Sequence, residues 1–171
     1  MKHKLLLLYS WFVRTVLIWL PDVPFIMRFR GWLFGLGMRS CGKNFQVAHD
    51  ANIKGLEGMS VGANCYVANN SIILGSGMIV FEGEVQVGPN CVLTSGNHIS
   101  INGSYYNRKR DVGSICLCKG SWVAANCTLA KGALLPSNSV LAANSFLGTK
   151  LSESNSVYGG VPAKYIKSNL L

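Results

Sequence analysis

Aliphatic residues recur every six positions along most of this chain. Leu117, Val123, Leu129, Leu135, Leu141 and Leu147 form one unbroken series. The residue after each is usually small (Ala124, Ala130, Ala142, Gly148), with Cys118 and Pro136 as departures. The fifth position is small as well: Ser121, Cys127, Ala133, Ser139 and Ser145. An amphipathic helix buries positions i, i+3 and i+4, and a long half-buried strand alternates. A period of six serves neither. It suits a solenoid of short strands and tight turns with aliphatic side chains stacked inside. Val47, Ile53 and Met59 begin the same pattern, Val61, Val67, Ile73 and Ile79 continue it, and Phe81, Val87 and Leu93 follow. The phase slips by two at Met59–Val61 and at Ile79–Phe81, which predicts small insertions at turns. The expected architecture is an all-β solenoid over residues 41–167, with a short tail at 168–171.

Residues 1–40 read differently. Residues 5–20, LLLLYSWFVRTVLIWL, are apolar but contain Arg14 and fall short of the ~20 residues a spanning helix needs. Pro21 and Pro24 break the chain, and FIMRFRGWLFGLGM resumes with Arg28 and Arg30. Two apolar, Trp-containing, basic helices suit a segment lying in a membrane interface, its cations facing anionic headgroups. The same helices could instead cap the following domain or form an oligomer contact. A signal peptide is the remaining rival, disfavoured by Arg14 and by the lack of a small-x-small cleavage site.

Composition narrows the partners. The 171 residues suffice for one domain plus an appendage, and 49% hydrophobic content excludes a disordered chain. Sixteen Lys and Arg against seven Asp and Glu leave a net charge of +9, which suggests an anionic partner. The basic residues are scattered and carry no recognition motif, so nucleic acid is not expected. Of six cysteines, Cys65, Cys91 and Cys127 each follow an Asn within the repeat, where free Cys acts as a small buried hydrophobe. A reduced, cytosolic setting follows. Cys116 and Cys118 form a lone CxC with no second pair and no nearby His, so no metal is expected.

The period fails between about Ser95 and Ser114, in SGNHISINGSYYNRKRDVGS. A polar, basic interruption of that length in a regular solenoid is often functional. His98 lies at its start. His49 reads as structural, and His3 carries no catalytic signal. A carbonic-anhydrase-like zinc site would need three convergent histidines, a spacing His3, His49 and His98 lack.

The repeat, the stretch Leu117-Cys-Lys-Gly-Ser-Trp-Val-Ala-Ala-Asn-Cys-Thr-Leu and the closing Gly160-Val-Pro-Ala-Lys-Tyr-Ile-Lys together resemble the hexapeptide-repeat acyltransferases. The apolar front end followed by Cys41-Gly-Lys-Asn-Phe is similar to acetyltransferases of the colanic-acid type. Val87-Gly-Pro-Asn-Cys-Val-Leu-Thr-Ser-Gly-Asn-His98 resembles a galactoside-acetyltransferase run that ends in the catalytic base.

The resemblance implies a left-handed parallel β-helix with N-terminal apolar helices, three six-residue units to a coil, and a homotrimer with active sites between subunits. It implies acetyl-CoA as co-substrate and His98 as general base. A sugar hydroxyl is a poor nucleophile at neutral pH, and an imidazole can take its proton during attack on the thioester. A tetrahedral oxyanion would need N–H donors that the sequence does not identify. Many relatives carry a second His two residues on, where this chain has Ser100. By the same resemblance Asn69 and Trp122 sit at the acceptor and reacting centre. Glu82 and Glu84, one coil before His98 in the sequence, could orient the imidazole or could be solvated edge residues. Ala125 and Ala143 would line the pantetheine groove, and Thr149, Lys150, Lys164 and Lys167 would meet the nucleotide and phosphates. Arg108, Lys109 and Arg110 have no family role and could meet an acidic glycan or a neighbouring subunit.

The activity implied is O-acetylation of a sugar, free or lipid-linked, in bacterial surface-polysaccharide assembly (capsule, exopolysaccharide or O-antigen). It would take place in the cytoplasm, at the inner face of the cytoplasmic membrane. An N-acetyltransferase of an amino sugar, a small-acceptor acetyltransferase and a non-catalytic scaffold or glycan-binding protein are the alternatives.

Overall fold

The structure, a computed structural model, describes residues 1–169. Short strands follow one another around three faces. The first face stacks Ser40–Cys41, Met59–Val61, Met78–Phe81, Ser114–Leu117 and Leu134–Leu135, all parallel. The second stacks Gln46–Val47, Tyr66–Val67, Gln86–Val87, Trp122–Val123, Val140–Leu141 and Ser156–Gly159. The third stacks Asn52–Lys54, Ile72–Leu74, Val92–Thr94, Thr128–Ala130 and Phe146–Leu147. This is a parallel β-solenoid. The six-residue series is its inner lining: Val47, Val67, Val87, Val123 and Leu141 lie in register and are fully buried. Each such side chain contributes about 1.5–3 kcal/mol by leaving water.

The phase slips have a common location. Register partners stand 20 residues apart in the first coils (Val47 with Val67, Val67 with Val87) and 18 apart in the last (Val123 with Leu141). The extra residues occupy the corner between the third and first faces, around Gly55–Gly58 and Gly75–Gly77. The strands that follow bury two alternate side chains, Met59 with Val61 and Ile79 with Phe81. The long interruption falls at this same corner, between Val92–Thr94 and Ser114–Leu117.

The other two corners are tight and use left-handed residues. Asn44, Asn64, Glu84, Gly120 and Asn138 turn the chain from the first face to the second with φ between +53° and +70°. Asn70, Asn90, Asn126 and Asn144 turn it to the third with φ of +58° to +61°. Asn tolerates this region better than most L residues. The residue after each of the second set is small, and three of the four donate to a neighbouring coil. Ser71 Oγ donates to the Gly88 carbonyl (2.9 Å), Cys91 Sγ to Ala124 (3.0 Å) and Cys127 Sγ to Ala142 (3.1 Å), each on the next coil. Ser and Cys both serve at this position because both are compact and both can donate. All six cysteines are free.

Helices α1 (Lys2–Leu17) and α2 (Pro24–Gly35) pack on the first coil through Ser10, Val13 and Leu17 of one and Met27, Arg30, Gly31 and Phe34 of the other. The Tyr9 hydroxyl donates to the Leu33 carbonyl (2.7 Å), tying the helices together. A Cβ at Gly31 would collide with the Phe45 carbonyl, so glycine permits the close approach of α2 to the solenoid. The expectation that the helices' cations face lipid is corrected at two positions. Arg30 is 1% exposed and donates to the carbonyls of Val47 (2.6 Å), Leu20 (3.1 Å) and Leu17 (3.4 Å) and to Asp22 Oδ1 (3.1 Å). Arg14 turns toward the Asp50 carbonyl (3.4 Å). Lys2, Lys4 and Arg28 remain exposed. The helices' outer side exposes Leu5, Leu8, Trp11, Phe12, Val16, Phe25, Phe29 and Trp32, and the connection between them exposes Trp19. Among the described residues, no helix is long and apolar enough to cross a membrane. At the other end Lys164–Ser168 pairs antiparallel with Ser156–Gly159, and Tyr158 and Ala163 close the core. Leu170 and Leu171, the end of the expected tail, lie outside the described residues.

Candidate active site

The interruption forms a hairpin. Gly96–His98 pairs antiparallel with Arg110–Val112, with His98 opposite Arg110. The loop between them is pinned by Asn107, whose amide donates to the carbonyls of Ile99 (2.7 Å) and Ser104 (3.2 Å). From the hairpin's second strand Arg110 donates to Ser76 Oγ (3.2 Å), and Asp111 pairs with Lys131. His98 is exposed and borders two clefts. One, of about 510 Å³, is lined by His98, His3, Lys54, Ser76, Thr94 and Arg110 among others. The second, of about 500 Å³, lies between His98 and the loop residues Tyr105, Tyr106, Asn107 and Arg108. No Asp or Glu lines either cleft, so both favour an anionic or neutral occupant.

Asn69 stands at a different corner, between the second and third faces. Its amide donates to Asp22 Oδ2 (2.9 Å) and Asp50 Oδ1 (3.3 Å). Asp22 comes from the connection between the helices and is shared. The His49 backbone N–H donates to its Oδ1 (2.8 Å), His49 Nδ1 lies 2.8 Å from its Oδ2, and Arg30 pairs with it. Burial works against ionisation of Asp22, but the hydrogen bonds from His49 and Asn69 prevail and hold its carboxyl below the usual value. Asn69 and Trp122 share one cleft of about 270 Å³ with Tyr66, Gln86 and Pro89. The fold thus brings Asn69 and Trp122 together and leaves His98 in separate clefts.

The residues expected to hold the cofactor divide between two corners. Ala125 and Ala143 lie one coil apart at the corner that carries Asn69, where Asn144 N–H donates to the Ala125 carbonyl (3.0 Å). Lys164 pairs with Gly159 beside that corner's last coil, and Lys167 with Val157 further along the same strand. Thr149 and Lys150 sit at the hairpin's corner, next to Leu134. All four of these polar residues are exposed.

Glu82 and Glu84 do not reach His98. Both lie at the corner between the first and second faces, where Glu82 Oε2 accepts from the Lys119 N–H (2.9 Å) and Glu84 pairs with the Lys119 ammonium (3.6 Å). The one-coil separation in sequence places them one face away from the hairpin. Two residues gain a place that sequence reasoning did not assign. Asp22 binds Asn69, and its only signal was an acidic residue between two helix-breaking prolines. His3 enters the His98 cleft, held by Glu57, because α1 lies along the corner that carries the hairpin.

No family model matches the sequence, and no curated protein is significantly similar to it. Solved structures are. A hexapeptide-repeat acetyltransferase from Vibrio cholerae O1 biovar eltor, complexed with acetyl-coenzyme A, superposes with a TM-score of 0.82 at 16% identity, covering 98% of this chain and 88% of that one. A maltose O-acetyltransferase from Clostridium difficile 630 gives 0.84 at 19%, covering 96% and 88%. A galactoside acetyltransferase in complex with coenzyme A gives 0.83 at 18%, covering 98% and 82%. This chain has the hexapeptide-repeat acetyltransferase fold.

Proposed function

We propose that this chain is an acetyl-CoA-dependent O-acetyltransferase of a sugar hydroxyl in surface-polysaccharide assembly, wound left-handed and active as a homotrimer. The observation that carries this reading is His98, exposed at the mouth of two clefts on the long interruption of an acetyltransferase fold. His98 takes the proton of the acceptor hydroxyl as its oxygen attacks the thioester carbonyl. The new C–O ester bond forms, the C–S bond breaks, and the proton passes to the departing CoA thiolate. Ala125 and Ala143 offer the small groove wall that a pantetheine arm needs; Lys164 and Lys167 offer cations for phosphates from that side, and Lys150, with Thr149 beside it, offers one from the hairpin's corner. Asn69 and Trp122 complete the acceptor side from an adjacent subunit, which the separation of their cleft from His98 supports.

Two features favour a lipid-linked acceptor at the inner face of the cytoplasmic membrane. The His98 cleft is basic through Lys54 and Arg110, and α1 contributes His3 and Leu7 to its edge. The same helix exposes Trp11 (59%), Lys2 and Lys4, and the connection that follows it exposes Trp19 (89%), a composition suited to an anionic lipid surface. The test is CoA release from acetyl-CoA with panels of neutral, phosphorylated and amino sugars. Acceptor-dependent release that collapses in His98→Ala supports the reading, and a response confined to amino sugars replaces O- with N-acetylation. Failure to bind acetyl-CoA by calorimetry overturns the reading in favour of a scaffold.

A further inference from the structure

A second cluster of chemistry-bearing side chains lies away from His98. Ser114–Leu117 alternates between core and surface, with Ile115 and Leu117 buried. Cys116 and Cys118 therefore both face outward, two residues apart on one side of the strand. Their sulfurs are 4.0 Å apart. On the preceding coil Phe81 is in register with Leu117, and the Glu82 N–H donates to the Leu117 carbonyl (3.0 Å). That register sets the Glu82 carboxylate beside the two thiols. The three ligand atoms all lie within 4.8 Å of one another, and among the described residues no other group of three His, Cys, Asp or Glu converges in this way.

The spacing can be compared with a metal centre. Tetrahedral zinc holds thiolate sulfur at about 2.3 Å and carboxylate oxygen at about 2.0–2.2 Å, which sets sulfur–sulfur separations of about 3.8 Å and sulfur–oxygen separations of about 3.5 Å. The observed pair is near that arrangement before any ion enters. The surroundings also suit one. The Lys119 N–H fixes Glu82 through Oε2 (2.9 Å) and leaves its other oxygen available, the kind of outer hydrogen bond that orients metal ligands. The ammonium of Lys119 pairs with Glu84. A dication would offset the repulsion of two thiolates and a carboxylate set this close, and its binding would displace the thiol protons. Thiolate pairs with one carboxylate select borderline-soft ions over magnesium or calcium.

We infer that Cys116, Cys118 and Glu82 form a three-ligand site for a borderline-soft divalent cation such as zinc, with a fourth position open to solvent or to another ligand. The site lies one face away from the hairpin and is independent of the acetyl-transfer centre. It reverses the expectation drawn from the CxC alone.

The test uses the full chain, purified under reducing, metal-free conditions. Cadmium is titrated in while the ultraviolet charge-transfer band of cadmium–thiolate bonds is followed, and zinc affinity is read by competition with a chromogenic chelator. One equivalent of each ion per chain is expected. Cys116→Ser and Cys118→Ser should each weaken zinc binding at least 100-fold and together abolish the cadmium band. Glu82→Gln should weaken zinc about 10–100-fold while keeping the band, and Cys41→Ser should change neither. Metal-free melting curves of the variants show whether each is folded; for any that is not, thiol alkylation of the wild type, slowed by zinc at Cys116 and Cys118 alone, gives the same answer. Absence of the band in wild type, or equal zinc affinity in the folded double-serine variant, overturns the inference.

Discussion

The Asn69 amide donates to Asp22 Oδ2 at 2.9 Å, joining a turn of the second coil to the connection between the two helices. The residue expected to hold the acceptor is therefore positioned by the N-terminal segment. Asp22 in turn gathers Arg30 and His49, so one carboxylate links the helices, the first coil and the candidate acceptor cleft.

Replacing Asp22 with Ala should lower stability by about 2–4 kcal/mol, since it leaves the buried Arg30 guanidinium without its counter-charge. Asp22→Asn should cost less and should reveal a pH dependence. The folded carboxyl is held below its usual value, so its stabilising contribution is complete above the unfolded value and fades as pH falls through the folded one. Urea midpoints of wild type and Asp22→Asn should differ most near neutrality and converge in acid. A difference that stays constant down to acid pH would contradict the assignment.

His98→Ala should reduce kcat by about 10²–10⁴-fold, the range expected for loss of a general base. The KM for acetyl-CoA should change little, because the expected donor groove involves other residues. Steady-state kinetics with any active acceptor, compared with the melting temperature of the variant, separates a chemical loss from a folding defect.

Much of the solenoid was legible because its core repeats. One side chain in six must point inward, the small position behind it must fit a corner, and Asn recurs where φ is positive. The two phase slips and the interruption were visible as irregularities, and all three fall at a single corner. Contacts between distant coils were less visible. Arg30 reads as one more cation in an apolar helix, and only packing on Val47 shows that it points inward. The Cys116–Cys118 pair looked isolated because Glu82 lies 34 residues upstream, beyond the interruption. His98 was marked by the broken period, whereas nothing along the chain indicated that His3 would share its cleft.

The corner asparagines make a local prediction. Asn90 holds φ of +58°, a region that costs most L residues about 1–2 kcal/mol. Asn90→Gly should be close to neutral, and Asn90→Ala should lose about 1 kcal/mol in equilibrium denaturation. Equal stability of the two variants would mean that backbone conformation does not select Asn there.

The exposed side of the helices predicts membrane affinity. Trp11, Trp19 and Phe25 contribute little to the packed core, so Trp11→Ala, Trp19→Ala and Phe25→Ala combined should leave the melting temperature nearly unchanged. Sedimentation with vesicles containing phosphatidylglycerol should fall sharply in the triple variant. Binding of the wild type should weaken with salt, because Lys2, Lys4 and Arg28 would contribute electrostatically at the headgroups. Equal sedimentation of wild type and triple variant would assign this surface to a protein contact instead.

The separation of the His98 and Asn69 clefts predicts complementation between subunits. If His98 of one subunit works with Asn69 of the next, His98→Ala and Asn69→Ala homo-oligomers should both be nearly inactive. Mixing the two chains by co-expression should then restore part of the activity, since some interfaces would pair an intact His98 with an intact Asn69. A site contained within one chain would give no recovery, because every chain would carry one defect. Tagged chains purified in sequence would isolate the mixed oligomers, and their CoA release per chain, set against each parent, distinguishes the two arrangements.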